Sequence, residues 1–89
     1  MAEVHFTSHL RNLVPDGPLS ASGATVGEAL ANLLATNPHV RGYVLDDQGL
    51  LRQHVCIFAD GVRLQRDSAL SCRIGPESKL YVMQALSGG

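Results

Sequence analysis

Only two cysteines, Cys56 and Cys72, occur among the 89 residues, too few for the disulfide framework that staples small secreted domains. Neither sign of charge is in excess. Seven Lys and Arg against eight Asp and Glu leave a net charge of −1, so no general field draws the chain to nucleic acid or to an anionic membrane. No apolar run approaches membrane-spanning length. The opening Met1-Ala2-Glu3-Val4-His5 lacks the basic and apolar segments of a secretory signal, and a reduced, cytoplasmic setting is the expectation. Internal repeats, low-complexity blocks and linkers are missing as well. The glycines follow no phosphate-loop spacing. His5, His9, His39 and His54 stand in no arrangement with the cysteines that resembles a zinc site, so no metal is expected.

What is present reads as one small domain spanning 1–89. Apolar residues make up 45% of the chain and charged residues 17%, a globular balance. A chain this short buries only about 60–65% of its unfolded surface. Val4 and Phe6 alternate with Glu3, His5 and Thr7, which predicts a short first strand that could reach Ser8. Pro15-Asp16-Gly17 is turn chemistry, and Leu19–Ser22 can return as a second short strand before Gly23. Thr25-Val26-Gly27-Glu28 reads as a capping box. Val26, Leu30, Leu33 and Leu34 then recur at helical spacing, giving one apolar stripe to lay on a sheet. Asn37-Pro38 should end that helix.

Beyond it, Tyr43-Val44-Leu45 fits either a strand or a short helical turn, and Asp46–Gly49 a turn. Val55–Ala59 predicts a strand, with Asp60-Gly61 the favoured two-residue hairpin turn and Val62–Leu64 a brief return strand. Asp67–Leu70 suggests a turn or single helical turn. Gly75–Ser78 is a further turn that feeds a last strand from Leu80. Strands, one main helix, then more strands give an α+β domain, a mixed sheet of four to five strands with the helix on one face.

The last strand runs into Leu86-Ser87-Gly88-Gly89. Glycines have no Cβ, so a tail from about residue 85 is thin enough to follow a narrow channel into another protein's active site. A strand anchored in a core and leading to a Gly-Gly carboxylate suits the presentation of a carboxyl group. Frayed terminal glycines are the plainer alternative.

Three stretches carry a resemblance to a known family. Ser20–Leu30 is similar to the segment that enters the helix in the ubiquitin-like β-grasp sulfur carriers of the MoaD/ThiS family. Leu51–Gly61 resembles that family's central strand and turn, and Lys79–Gly89 its last strand and tail. Many members carry prolines before the tail, where this chain has Met83-Gln84-Ala85.

The resemblance implies a carrier rather than an enzyme. A ubiquitin-activating-type (E1-like) adenylating enzyme would use ATP on the Gly89 carboxylate. A sulfurtransferase or sulfide donor would then convert the acyl-adenylate to a thiocarboxylate, and a downstream synthase would take the sulfur. No cofactor would be bound by the chain itself. A ubiquitin-like modifier joined to lysines through Gly89, and a plain β-grasp interaction module, are the alternatives.

Strand alternation suggests the face that partners read. With Val55, Ile57, Ala59, Leu80 and Val82 pointing inward, Phe58, Tyr81 and Met83 point outward. In this family fold those two strands are neighbours, so the three side chains should form one apolar patch near the tail. Arg63, Arg66 and Arg73 could make a basic surface for an acidic partner or ATP, although a scattered solvated face is the plainer reading. Arg73 could favour a thiolate at Cys56 or Cys72, but ordinary half-buried cysteines explain both positions.

Overall fold

In the computed structural model, residues 1–7 and 19–84 are described. Strand β1 (Ala2–Phe6) and strand β5 (Lys79–Gln84) lie side by side and parallel at the centre of a five-stranded sheet. Strand β2 (Leu19–Ala21) pairs antiparallel with β1 on one side. Strand β3 (Val55–Ala59) pairs antiparallel with β5 on the other, and β4 (Val62–Arg63) closes that edge. The order is β2-β1-β5-β3-β4. This is the α+β arrangement and mixed sheet expected. Ser8 and the Pro15-Asp16-Gly17 turn lie outside the described residues.

Helix α1 (Val26–Thr36) crosses one face. Its start follows from the capping chemistry: Thr25 Oγ1 accepts a hydrogen bond from Glu28 N at 3.2 Å. The Glu28 carboxylate accepts one from Ala24 N at 2.9 Å, one residue earlier than the usual capping-box partner. Gly23 is required beside this cap, since a Cβ there would sit 2.5 Å from Ala29 N. The helix start is also stitched to the segment before β5, with Val26 N donating to Cys72 O and Ile74 N to Ala24 O, both at 3.0 Å.

Val26, Ala29, Leu30, Leu33 and Leu34 are buried against Val4, Phe6, Ile57, Leu80 and Val82 of the sheet. Leu30, Ile57 and Leu80 are almost wholly enclosed. Removing such a side chain from water contributes about 1.5–3 kcal/mol each.

Asn37 does close α1, but Pro38 opens a second helix, α2 (Pro38–Val44). Proline suits the first helical position because its missing N–H would have no intrahelical partner there. Val40 and Val44, four apart, are buried beneath it. The Tyr43–Leu45 stretch is therefore mostly helical, with Tyr43 exposed. Asp46 then closes a turn: its Oδ1 accepts from Gln48 N at 2.9 Å and Leu50 N at 3.0 Å.

Asp60 and Gly61 both adopt positive φ, 50° and 86°, the pair of values that a two-residue type I′ turn demands. Lys79 N donates to Asp60 Oδ1 at 2.9 Å, fixing this turn to the start of β5. Ala69–Ser71 forms a single 3-10 turn.

The open sheet face and the root of the tail

Helix α1 covers one face of the sheet, and among the described residues no element covers the other. Burial alternates along β1, β3 and β5, so residues of one parity face the helix and the others face outward. Register then sets which outward residues meet. His5 is opposite Tyr81, Tyr81 is opposite Phe58, and Phe58 is opposite Arg63. One row of side chains thus crosses four strands: imidazole, phenol, phenyl, guanidinium. The next row places Cys56 opposite Met83.

Phe58, Tyr81 and Met83 therefore share the face expected of them and are half-buried by their neighbours. An open sheet face is ordinarily polar, so apolar rings on it suit a docking surface. The row is held in place at its β1 end. His5 and Tyr81 stack with ring centroids 4.6 Å apart and planes 11° from parallel. His5 Nε2 in turn donates to Glu3 Oε2 at 2.5 Å. Neither His5 nor Glu3 was legible as part of this face from sequence, because nothing local predicts which strand neighbours β1. At the other end, Arg63 Nη2 donates to Cys56 Sγ at 3.5 Å.

Strand β5 ends at Gln84, opposite Val55. The root of the tail is thus at the Gln53–Val55 end of β3, close to the Cys56–Met83 pair. Leu86, Ser87, Gly88 and Gly89 lie outside the described residues. The basic residues separate. Arg63 and Arg66 line one cleft, whereas the backbone of Arg73 forms an isolated antiparallel β-bridge with Thr25, at the start of α1. Among the described residues, no group of three or more His, Cys, Asp or Glu is placed to hold a metal ion. No helix among them is long and apolar enough to cross a membrane.

The Asp46 carboxyl is held below its ordinary value. The hydrogen bond from Leu50 N is the largest cause, opposed by desolvation and reinforced by Gln48 N and the charges of Arg52 and Arg66. Asp46 is therefore an anionic staple for the turn that precedes β3.

A five-stranded mixed sheet with its parallel β1–β5 centre and one covering helix is a ubiquitin-like β-grasp fold. Solved structures of this fold match almost end to end. SAMP1 from Haloferax volcanii is 24% identical with a TM-score of 0.80, the match covering 99% of this chain and 98% of that one. CysO from Mycobacterium tuberculosis is 21% identical with a TM-score of 0.83, over 97% of this chain and 100% of its own. A chain in the Amycolatopsis orientalis BexX/CysO complex is 17% identical with a TM-score of 0.85, over 100% of both chains. At these identities the likeness is one of fold. No family model and no curated protein matches the sequence.

Proposed function

We propose that this chain is a sulfur carrier whose Gly89 carboxylate is the reactive group. One observation carries the reading: β5, with Leu80 and Val82 fully buried, runs from the core to Gln84 and is followed in the sequence by Ala85-Leu86-Ser87-Gly88-Gly89. On this reading the strand is a rigid handle for the Gly89 carboxylate. A fold shared with SAMP1 and CysO, and the apolar rings beside the handle, support the reading.

The chemistry needs little from the chain. A carboxylate is a poor electrophile. An adenylating enzyme lets a Gly89 carboxylate oxygen attack the α-phosphate of ATP, pyrophosphate leaves, and the acyl-adenylate has a good leaving group. A sulfide donor then attacks the acyl carbon, AMP departs, and the terminal thiocarboxylate is the product. A downstream synthase uses that sulfur in biosynthesis of a cofactor, cysteine or a specialised metabolite. Binding energy gathered on Phe58, Tyr81 and Met83 positions a reactive group too small to be recognised alone. The chain is on this reading a protein cosubstrate, not an enzyme.

A second reading rests on the same fold, since SAMP1 is by its name a small archaeal modifier protein. A modifier would spend the same acyl-adenylate on a lysine amine. Incubation with ATP, an adenylating partner and sulfide separates the two: the carrier gains the mass of sulfur less that of oxygen, whereas the modifier becomes part of a larger, lysine-linked species. Recovery of the chain unchanged from a partner that is active on another carrier would count against both.

A further inference from the structure

We propose that a cleft along the β3–β4 edge binds an extended, acidic segment of a protein partner. Two adjoining hollows form it, of about 370 Å³ and about 240 Å³, and they share Gln53 and Arg66. Leu51, Val55, Ile57 and Leu64 give the larger one an apolar floor, and Arg63 and Arg66 stand at its rim. The smaller hollow adds Arg52 and His54. Among the described residues Asp46 is the one acidic residue lining either, so three arginines there face one aspartate in a chain whose net charge is −1.

Those arginines are oriented but not neutralised. Arg52 Nε donates to Gly42 O at 2.6 Å, and Arg66 Nη2 to Leu51 O at 2.9 Å. A guanidinium carries five N–H donors, so one bond to a carbonyl fixes the group without exhausting it. None of the three arginines is in a salt bridge among the described residues. Asp46 acts on Arg52 and Arg66 through space, but its Oδ1 is engaged by two backbone amides. Asp67 lines a third hollow, toward Ser71, that shares Leu51 and Arg66 with the larger one, but it forms no ion pair with Arg66.

The backbone favours a strand-like occupant over a small anion. Strand β4 pairs with β3 only at Arg63–Phe58 and Val62–Ala59, and the next rung is Leu64 N to Ile57 O at 2.9 Å. Past that rung, no strand among the described residues pairs with this edge of β3 toward Val55. An extended segment laid there alternates its side chains, apolar ones to the floor and carboxylates to the arginines. A lone phosphate would leave the floor uncovered. The cleft also begins where β5 ends, since Val55 pairs with Gln84. A partner that receives Gly89 can occupy it at the same time. That link rests on the carrier reading, whereas the preference for carboxylates does not.

An NMR titration of the full chain tests the cleft without ATP or any activating enzyme, so its outcome is independent of sulfur loading. The probes are a short capped peptide alternating Glu with Leu, the same peptide with Gln for Glu, and inorganic phosphate. The acidic peptide should shift the amides of Gln53–Ile57 and Leu64–Arg66 and bind about ten-fold more tightly than its Gln counterpart. That advantage should shrink as salt is raised. Arg66→Gln should weaken binding, and Arg63→Gln should do so without removing a side-chain bond to a backbone carbonyl. Equal binding of the two peptides, shifts confined to the open sheet face, no shift at all, or tighter binding of phosphate to the same amides would overturn the proposal.

Discussion

His5 and Tyr81, register partners across the parallel β1–β5 pair, stack at 4.6 Å and within 11° of parallel. With Phe58 opposite Tyr81 on the antiparallel side, the phenol ring lies between two neighbours in the row. On the carrier reading, this row is the surface that partners meet. Phe58→Asp or Met83→Asp should therefore abolish binding to an adenylating partner, read by calorimetry. Both side chains are half-buried on the open face, so the variants should still unfold cooperatively, with a loss of about 1 kcal/mol. Collapse of the fold in both variants would mean that the open face is part of the core.

The helix cap should be separable from the tail. Thr25→Ala removes the acceptor for Glu28 N and should cost about 1 kcal/mol in a denaturant titration. Sulfur loading of the folded variant should match the parent. A loading defect at unchanged stability would place Thr25 in contact with a partner.

The core under that helix should be less forgiving. Leu30 is fully buried, and Leu30→Ala should cost about 2–5 kcal/mol through lost burial and the cavity left behind. Chemical denaturation reads this directly. A cost below that of Thr25→Ala would contradict the packing described.

Asp46 gives a pH signature. Its folded-state pKa is depressed by the Leu50 and Gln48 amides, so the stability it adds to the turn is present above the ordinary value of 3.8. That stability is lost as pH falls through the lower, folded value. The side-chain carboxyl resonance of Asp46 and the amides of Gln48 and Leu50 should titrate together, below pH 3.8. Asp46→Ala should remove the step. Titration at or above the ordinary value would show that the carboxylate is not held as described.

Much of the architecture was legible because it is local. Thr25 and Glu28 announce the helix, its apolar stripe orients it, Asp60-Gly61 names its own turn, and alternation along β3 and β5 sorts inside from outside. Tyr43–Leu45 stayed ambiguous because a seven-residue helix offers only Val40 and Val44 as buried positions. Pro38 at its start was the signal available. The stacking of His5 on Tyr81 depends on β1 lying beside β5, more than 70 residues away in sequence, whereas the Glu3–His5 pair is local to β1. The grouping of Arg52 with Arg63 and Arg66, and the separation of Arg73, likewise arise only when the chain closes on itself.

The tail carries the central claim, and one mass measurement on a variant with Cys56 and Cys72 both changed to Ser tests it most directly. Incubated with ATP, an adenylating partner and a sulfide source, the intact variant should gain the mass of one sulfur less one oxygen. That sulfur should be readily alkylated, and fragmentation should place it on Gly89. Deleting Gly89, or adding an untrimmed residue after it, should abolish the gain while thermal unfolding stays unchanged, because neither alteration touches a core side chain. Loading that occurs on the parent but disappears with the cysteines would contradict a thiocarboxylate and place the sulfur on a side chain.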